Sequence, residues 1–146
     1  MERLDTSFPN LATRITAAGA ERQRRAAFLA AQWAVAVSGL DDDDVRSGLL
    51  MLGRGEGSEV DVTSLEVAVE RLDEHAWSIQ DAVDEGDAQP EEYLVAFGQA
   101  RAAGSVFFAA DADPLRAALE AVYEASVVVP DPSPLLAIIE SELSDG

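Results

Sequence analysis

Apolar residues recur along most of this chain at steps of three and four, the period of helices that bury one face. The clearest series is Val62, Leu65, Val69, Leu72, Ala76, Ile79 and Val83, a heptad seam that predicts a helix over about 62–85. Such a seam packs along a second helix at a shallow crossing angle, either within one bundle or across a dimer. Tyr93, Phe97, Ala100, Gly104 and Phe107 continue the pattern and predict a helix over about 90–110. Pro90 suits its first turn, and Gly98, Ala100 and Gly104 let a neighbour approach closely.

Upstream, residues 11–38 predict one long helix, capped by Asn10 and stopped by Gly39, with Gly19 as the place where it would bend or break. Its second half, Ala26 to Val37, is apolar almost all round and is expected at the centre of the fold. Val45, Leu49 and Leu52 predict a short helix after the run Asp41–Asp44, and Gly53 to Glu59 predict a flexible loop. Asp113 and Pro114 open a further helix with Leu115, Leu119, Val122 and Tyr123, and Ser133 and Pro134 open the last, with Leu135, Ile139 and Leu143. Val127 to Val129 read as the end of the helix opened at Asp113 or as a short extended piece. The expected fold is all-α: a single-domain bundle of five or six helices over residues 1–146, with 1–10 as a loosely ordered arm.

Charge changes this picture more than size does. The net charge is −18, and all ten basic residues are arginine. Residues 1–25 hold five arginines against three acidic residues, a net +2, while the rest holds five against 25, a net −20. A strongly acidic body disfavours nucleic-acid phosphates and anionic membranes, so neither is an expected partner. The arginines of "ERQRR", Glu21 to Arg25, are expected to pair with the protein's own carboxylates or with an acidic neighbour. Abundant alanine and arginine without lysine points to a GC-rich, bacterial genome. The start of the chain is polar and the longest apolar run has 12 residues, too short for a bilayer, so a soluble cytoplasmic protein is expected.

Little catalytic inventory remains. The chain has one histidine, no cysteine and no lysine, which removes most nucleophilic triads and Schiff-base schemes. The aspartate run fails the calcium-loop template: counting from Asp41, Val45, Arg46 and Leu52 stand at the fifth, sixth and twelfth positions. Leu72, three residues before His75, breaks the Glu-x-x-His pattern of di-iron bundles. Gly53, Gly55 and Gly57 lack the lysine and the third glycine of phosphate loops. No metal or cofactor is expected. His75 is expected at the seam's edge, packed and hydrogen-bonded, and Trp33 in the core.

The aspartates make better sense as a helix start: Asp41 or Asp42 caps the backbone, and the others meet the positive end of the helix dipole. Glu66, Glu70 and Glu74 form an i, i+4 row expected to be solvated. Trp77 falls off the seam beside Glu70 and Asp84, and is either covered by a further helix or exposed as an anchor for a partner. The expected function is therefore non-catalytic: an acidic interaction protein, most concretely an immunity- or antitoxin-type inhibitor docking a basic protein. Asp42, Asp43, Asp44, Glu66, Glu70, Glu74, Trp77 and Asp84 are its candidate contact residues. The alternative is an assembly module, a homodimer or adaptor joined through the seam, and the third reading is a carboxylate-based enzyme or ligand carrier.

Overall fold

A computed structural model describes residues 3–144, and within them the chain is all-helical, with no strand. Eight α-helices follow in order: α1 (Arg3–Ser7), α2 (Pro9–Ala17), α3 (Ala20–Ser38), α4 (Asp43–Gly53), α5 (Val62–Asp84), α6 (Pro90–Ala109), α7 (Pro114–Ser126) and α8 (Ser133–Ser144). A single 3₁₀ turn, Gly57–Glu59, occupies the expected loop. The count exceeds the expected five or six because the first predicted helix, 11–38, is two, α2 and α3, and because a further helix, α1, forms in the segment expected to be a loose arm.

Local chemistry sets both boundaries. Pro9 takes the first turn of α2, so Phe8 rather than Asn10 stands at its N-cap, and α1 ends at Ser7, two residues before the proline. Ala18 and Gly19 then adopt extended backbone, and the buried Gln23 amide reaches back to donate to the carbonyls of Ile15 and Ala18, both at 3.0 Å. The Ile15 carbonyl also accepts the Ala18 N–H at 3.1 Å, so the Gln23 amide adds a second bond there and pairs the Ala18 carbonyl just beyond α2. Residues 3–10 are accordingly no loose arm. Leu4 is fully buried and Phe8 packs against the core.

Helices α3, α6 and α7 pack against one another; α5 covers α6, and α8 covers α3. Helices α1 and α2 lie over α7, and α4 touches α3, α5 and α6. The central position expected of Ala26–Val37 belongs more fully to α6 and α7. Helix α3 buries Ala26, Ala27, Ala30, Ala31 and Ala34 on one side but leaves Ala36 and Val37 exposed, and Trp33 is half-buried against the core. Alanines also dominate the buried faces of α6 and α7, so the backbones approach closely. A Cβ on Gly98 would stand 2.6 Å from the Val128 carbonyl oxygen, which places the 127–129 segment against α6 rather than in a sheet.

The heptad seam is a bundle seam: Leu65 and Ala76 are buried, Val69, Leu72, Ile79 and Val83 are half-buried, and α5 lies along α6. Asp61 caps α5 and Asp113 caps α7, each carboxylate accepting a backbone N–H at 3.1 Å. Gly39 ends α3 in the left-handed region, at φ +68°, where a side chain would be strained. Among the described residues no helix is long and apolar enough to cross a membrane.

Candidate functional site

The eight candidate residues fall into two patches. At the start of α4, Asp42 is the N-cap, accepting the Val45 N–H at 3.1 Å. Its second oxygen meets the guanidinium of Arg71 on α5. Burial pushes the Asp42 carboxyl up, but the Arg71 and Val45 hydrogen bonds outweigh it and hold the group below the ordinary aspartate value. Asp42 is thus committed to joining α4 with α5. Asp43 and Asp44 are exposed, and Asp43 pairs with Arg46 at 2.7 Å.

The second patch is the outer face of α5. Glu66, Glu70, Glu74 and Asp84 are exposed, so the row is solvated. Trp77 is 71% exposed, which resolves the open question of its cover: no other helix lies over it. Helical spacing puts Asp73, Glu74, Gln80 and Asp81 one turn from Trp77 and Glu70 and Asp84 two turns away. An indole is therefore framed by carboxylates along the helix, with Gln80 the single neutral member of the frame. Arg71 stands about 120° around α5 from Trp77, so the aspartates of α4 approach a different side of the helix. His75 is exposed rather than packed at the seam's edge.

A third constellation has no counterpart among the sequence candidates. Glu120 and Glu124 of α7 are buried, one turn apart. Arg3 donates to Glu120 at 2.5 Å and to Glu124 at 3.3 Å, while its guanidinium lies 4.3 Å from the centre of the Tyr123 ring. Arg101 of α6 donates to both Glu124 oxygens, at 3.1 and 3.0 Å, and to Asp73 of α5 at 2.5 Å. Gly104 makes room: a Cβ there would stand 3.3 Å from the Glu124 carboxyl group. Burial disfavours each arginine's charge, but these carboxylates overcompensate, and both guanidinium groups are held more firmly protonated than usual. The Arg101 Nε has no hydrogen-bond partner among the described residues. The network ties α1, α5, α6 and α7 together, each of its three carboxylates meeting at least one of its two guanidinium groups, so it braces the fold. Its sequence signal was Arg101, a lone cation in a helix otherwise rich in alanine and glycine.

The basic cluster near the N-terminus serves the fold in a similar way. Arg22 donates to the Glu142 and Leu143 carbonyls at the end of α8, Arg24 to the Asp111 and Ala112 carbonyls beyond α6, and Arg25 to the Glu142 carboxylate. One of the three thus meets a carboxylate and two meet carbonyls near helix ends, where cations are favoured. Among the described residues no group of three or more histidine, aspartate or glutamate side chains could hold a metal ion. No family model, curated protein or solved structure matches the chain.

Proposed function

We propose that this chain is a non-catalytic interaction protein, a single acidic cytoplasmic domain that docks a basic partner protein through the outer face of α5, as an immunity- or antitoxin-type inhibitor would. The observation that carries this reading is Trp77, 71% exposed in a frame of the exposed carboxylates Glu70, Glu74, Asp81 and Asp84, with Asp73 on the same face already held by Arg101. An uncovered indole offers a large apolar contact at low entropy cost, and tryptophan is enriched among residues that dominate binding. The carboxylates attract a partner's arginine and lysine side chains, whose cations also sit favourably over an indole face. A net charge of −18 accelerates encounter with a basic surface and repels acidic competitors. Asp43 and Asp44 contribute to this field at a distance; Asp42 does not join the contact.

The assembly reading through the seam has a steric obstacle: α6 already covers those residues, so the seam would serve a second chain only if α5 and α6 parted. The test of docking compares two immobilised baits, the wild type and the double variant W77A/D81K, which is altered only at two exposed positions. A genuine partner is retained by the wild type at low salt and released at about 1 M salt, where the Debye length falls to about 3 Å. It binds W77A/D81K at least tenfold more weakly when purified and titrated. Equal retention of the same basic proteins on both baits would refute the proposal.

A further inference from the structure

We infer that the surface flanking Phe28 is a binding site for a small amphiphile with one anionic head group, independent of the α5 face. Phe28 of α3 lines two adjoining grooves. One, of about 540 Å³, runs past Arg24 and Leu52 to Ala109–Ala112 beyond the end of α6. The other, of about 430 Å³, runs past Gln32, Leu49 and Leu50 to Arg46 and Arg54. Each has the size of a small-molecule site, roughly 300–1,000 Å³. Their floor is apolar and open to solvent, with Leu50 54% exposed. Gly53 shapes the ridge between them: a Cβ there would stand 3.1 Å from the Phe28 ring, so glycine lets α4 meet the ring edge directly.

The charge on this surface runs against that of the whole molecule. Arg54 follows Gly53 at the end of α4, and Gly53 and Gly55 line one groove each. Among the described residues Arg54 is the one arginine whose guanidinium makes no ion pair or hydrogen bond with another side chain or carbonyl. Arg24 is fixed by the carbonyls of Asp111 and Ala112, at 2.5 and 2.6 Å, and meets no carboxylate within ion-pair distance among those residues. The acid that does line the first groove, Asp111, is paired with Arg116 at 3.2 Å, and Arg46 is paired with Asp41 and Asp43. One free cation, Arg54, and a second, Arg24, that meets carbonyls but no carboxylate thus border an apolar trough in a chain of net charge −18. An aliphatic chain laid against Phe28, Leu50 and Leu52, with its anionic head at Arg54, satisfies both features. A cationic amphiphile satisfies only one, and an acidic protein segment would bring further carboxylates to a surface with no more free cations for them.

The experiment titrates the full chain with octanoate, decanoate and dodecanoate below their micelle-forming concentrations, followed by calorimetry and by amide chemical shifts. Affinity rises roughly three- to fourfold for each methylene that enters the groove. Shifts concentrate at Phe28, Gly53, Arg54 and Gly55. The surface variant R54E weakens decanoate at least tenfold, and L50D, also at an exposed position, does the same while both retain wild-type circular dichroism. Decyl phosphate binds as decanoate does, because the head group is recognised by charge. The inference is overturned if decanoate and decyltrimethylammonium bind R54E and wild type alike, if shifts centre on Trp77, or if only phosphatidylglycerol vesicles bind and monomeric amphiphiles do not.

Discussion

Replacing Glu124 by alanine should cost the fold about 3 kcal/mol, at the lower end of what breaking a buried ion pair removes. The carboxylate is almost wholly inaccessible, at 2% residue exposure, and receives two contacts from Arg101 at 3.0 and 3.1 Å and one from Arg3 at 3.3 Å. Its loss leaves Arg101, whose side chain is 18% exposed, with Asp73 alone. Arg3 is the less affected partner, since Glu120 still holds it at 2.5 Å and its side chain is 43% exposed. That residual pairing sets the estimate at the lower end of the range. In a chain of this size such a loss lowers the thermal midpoint by roughly 6–12 °C, and total stability is on the order of 5–15 kcal/mol, so the variant still folds. Urea denaturation of wild type, E124A, R101A and the double variant gives the coupling between the two groups; neighbours in one network couple by about 0.5–3 kcal/mol. E124Q preserves the shape and should cost less than E124A. An E124A variant within about 1 kcal/mol of wild type, with no coupling to R101A, would mean that the network is not the brace inferred from its geometry.

Alanine at Gly98 meets the Val128 carbonyl at 2.6 Å, and the resulting overpacking of about 1–3 kcal/mol exceeds the helix-propensity gain of about 1 kcal/mol; G98A should therefore unfold at lower urea concentration than wild type. D42A loses a cap worth about 1 kcal/mol, visible in the same assay. Because the folded Asp42 carboxyl lies below its ordinary value of 3.8, its contribution is present above that pH and disappears as pH falls through the lowered value, so D42N should flatten the acid limb of a stability–pH profile. Replacing both exposed residues Asp43 and Asp44 with serine should leave the urea midpoint nearly unchanged and slow the association with a basic partner in stopped-flow measurements at low salt; an unaltered rate would remove these residues from the docking field.

Features written into neighbouring residues were legible in the sequence. The seam of α5, the caps Asp42 and Asp113, the glycine stop of α3 and the solvated glutamate row all depend on spacings within one or two turns. What depended on distant residues was not. The break at Ala18 and Gly19 is stabilised by Gln23 folding back, and neither residue needs an unusual backbone angle that would have announced it. Leu4 and Phe8 are a sparse pair in a polar stretch, and only the packing of α1 on α2 and α7 and of Phe8 on the core gives them a place. The wheel position of Trp77 beside Glu70 and Asp84 was evident, whereas its cover depended on where the other helices pack. The Arg3–Glu124–Arg101 network joins residues too far apart for any periodicity to connect, and the grooves beside Phe28 exist only once α3 and α4 meet.

The packing of α3 against α6, α7 and α8 has a consequence for how the chain is made. Translation delivers α3 well before the surfaces that cover it: α3 ends at Ser38 and α7 at Ser126. At about 5–20 residues per second, that gap is roughly 4 to 18 s on the ribosome. Until α6 is complete at Ala109, the alanine-rich face of α3 lacks every later helix it packs on except the short α4. The pair α5–α6, adjacent in sequence, can close without waiting, and it forms the surface onto which the earlier helices later settle. Nascent chains should therefore protect α5–α6 amides first and α1–α3 amides last, an order opposite to that of synthesis.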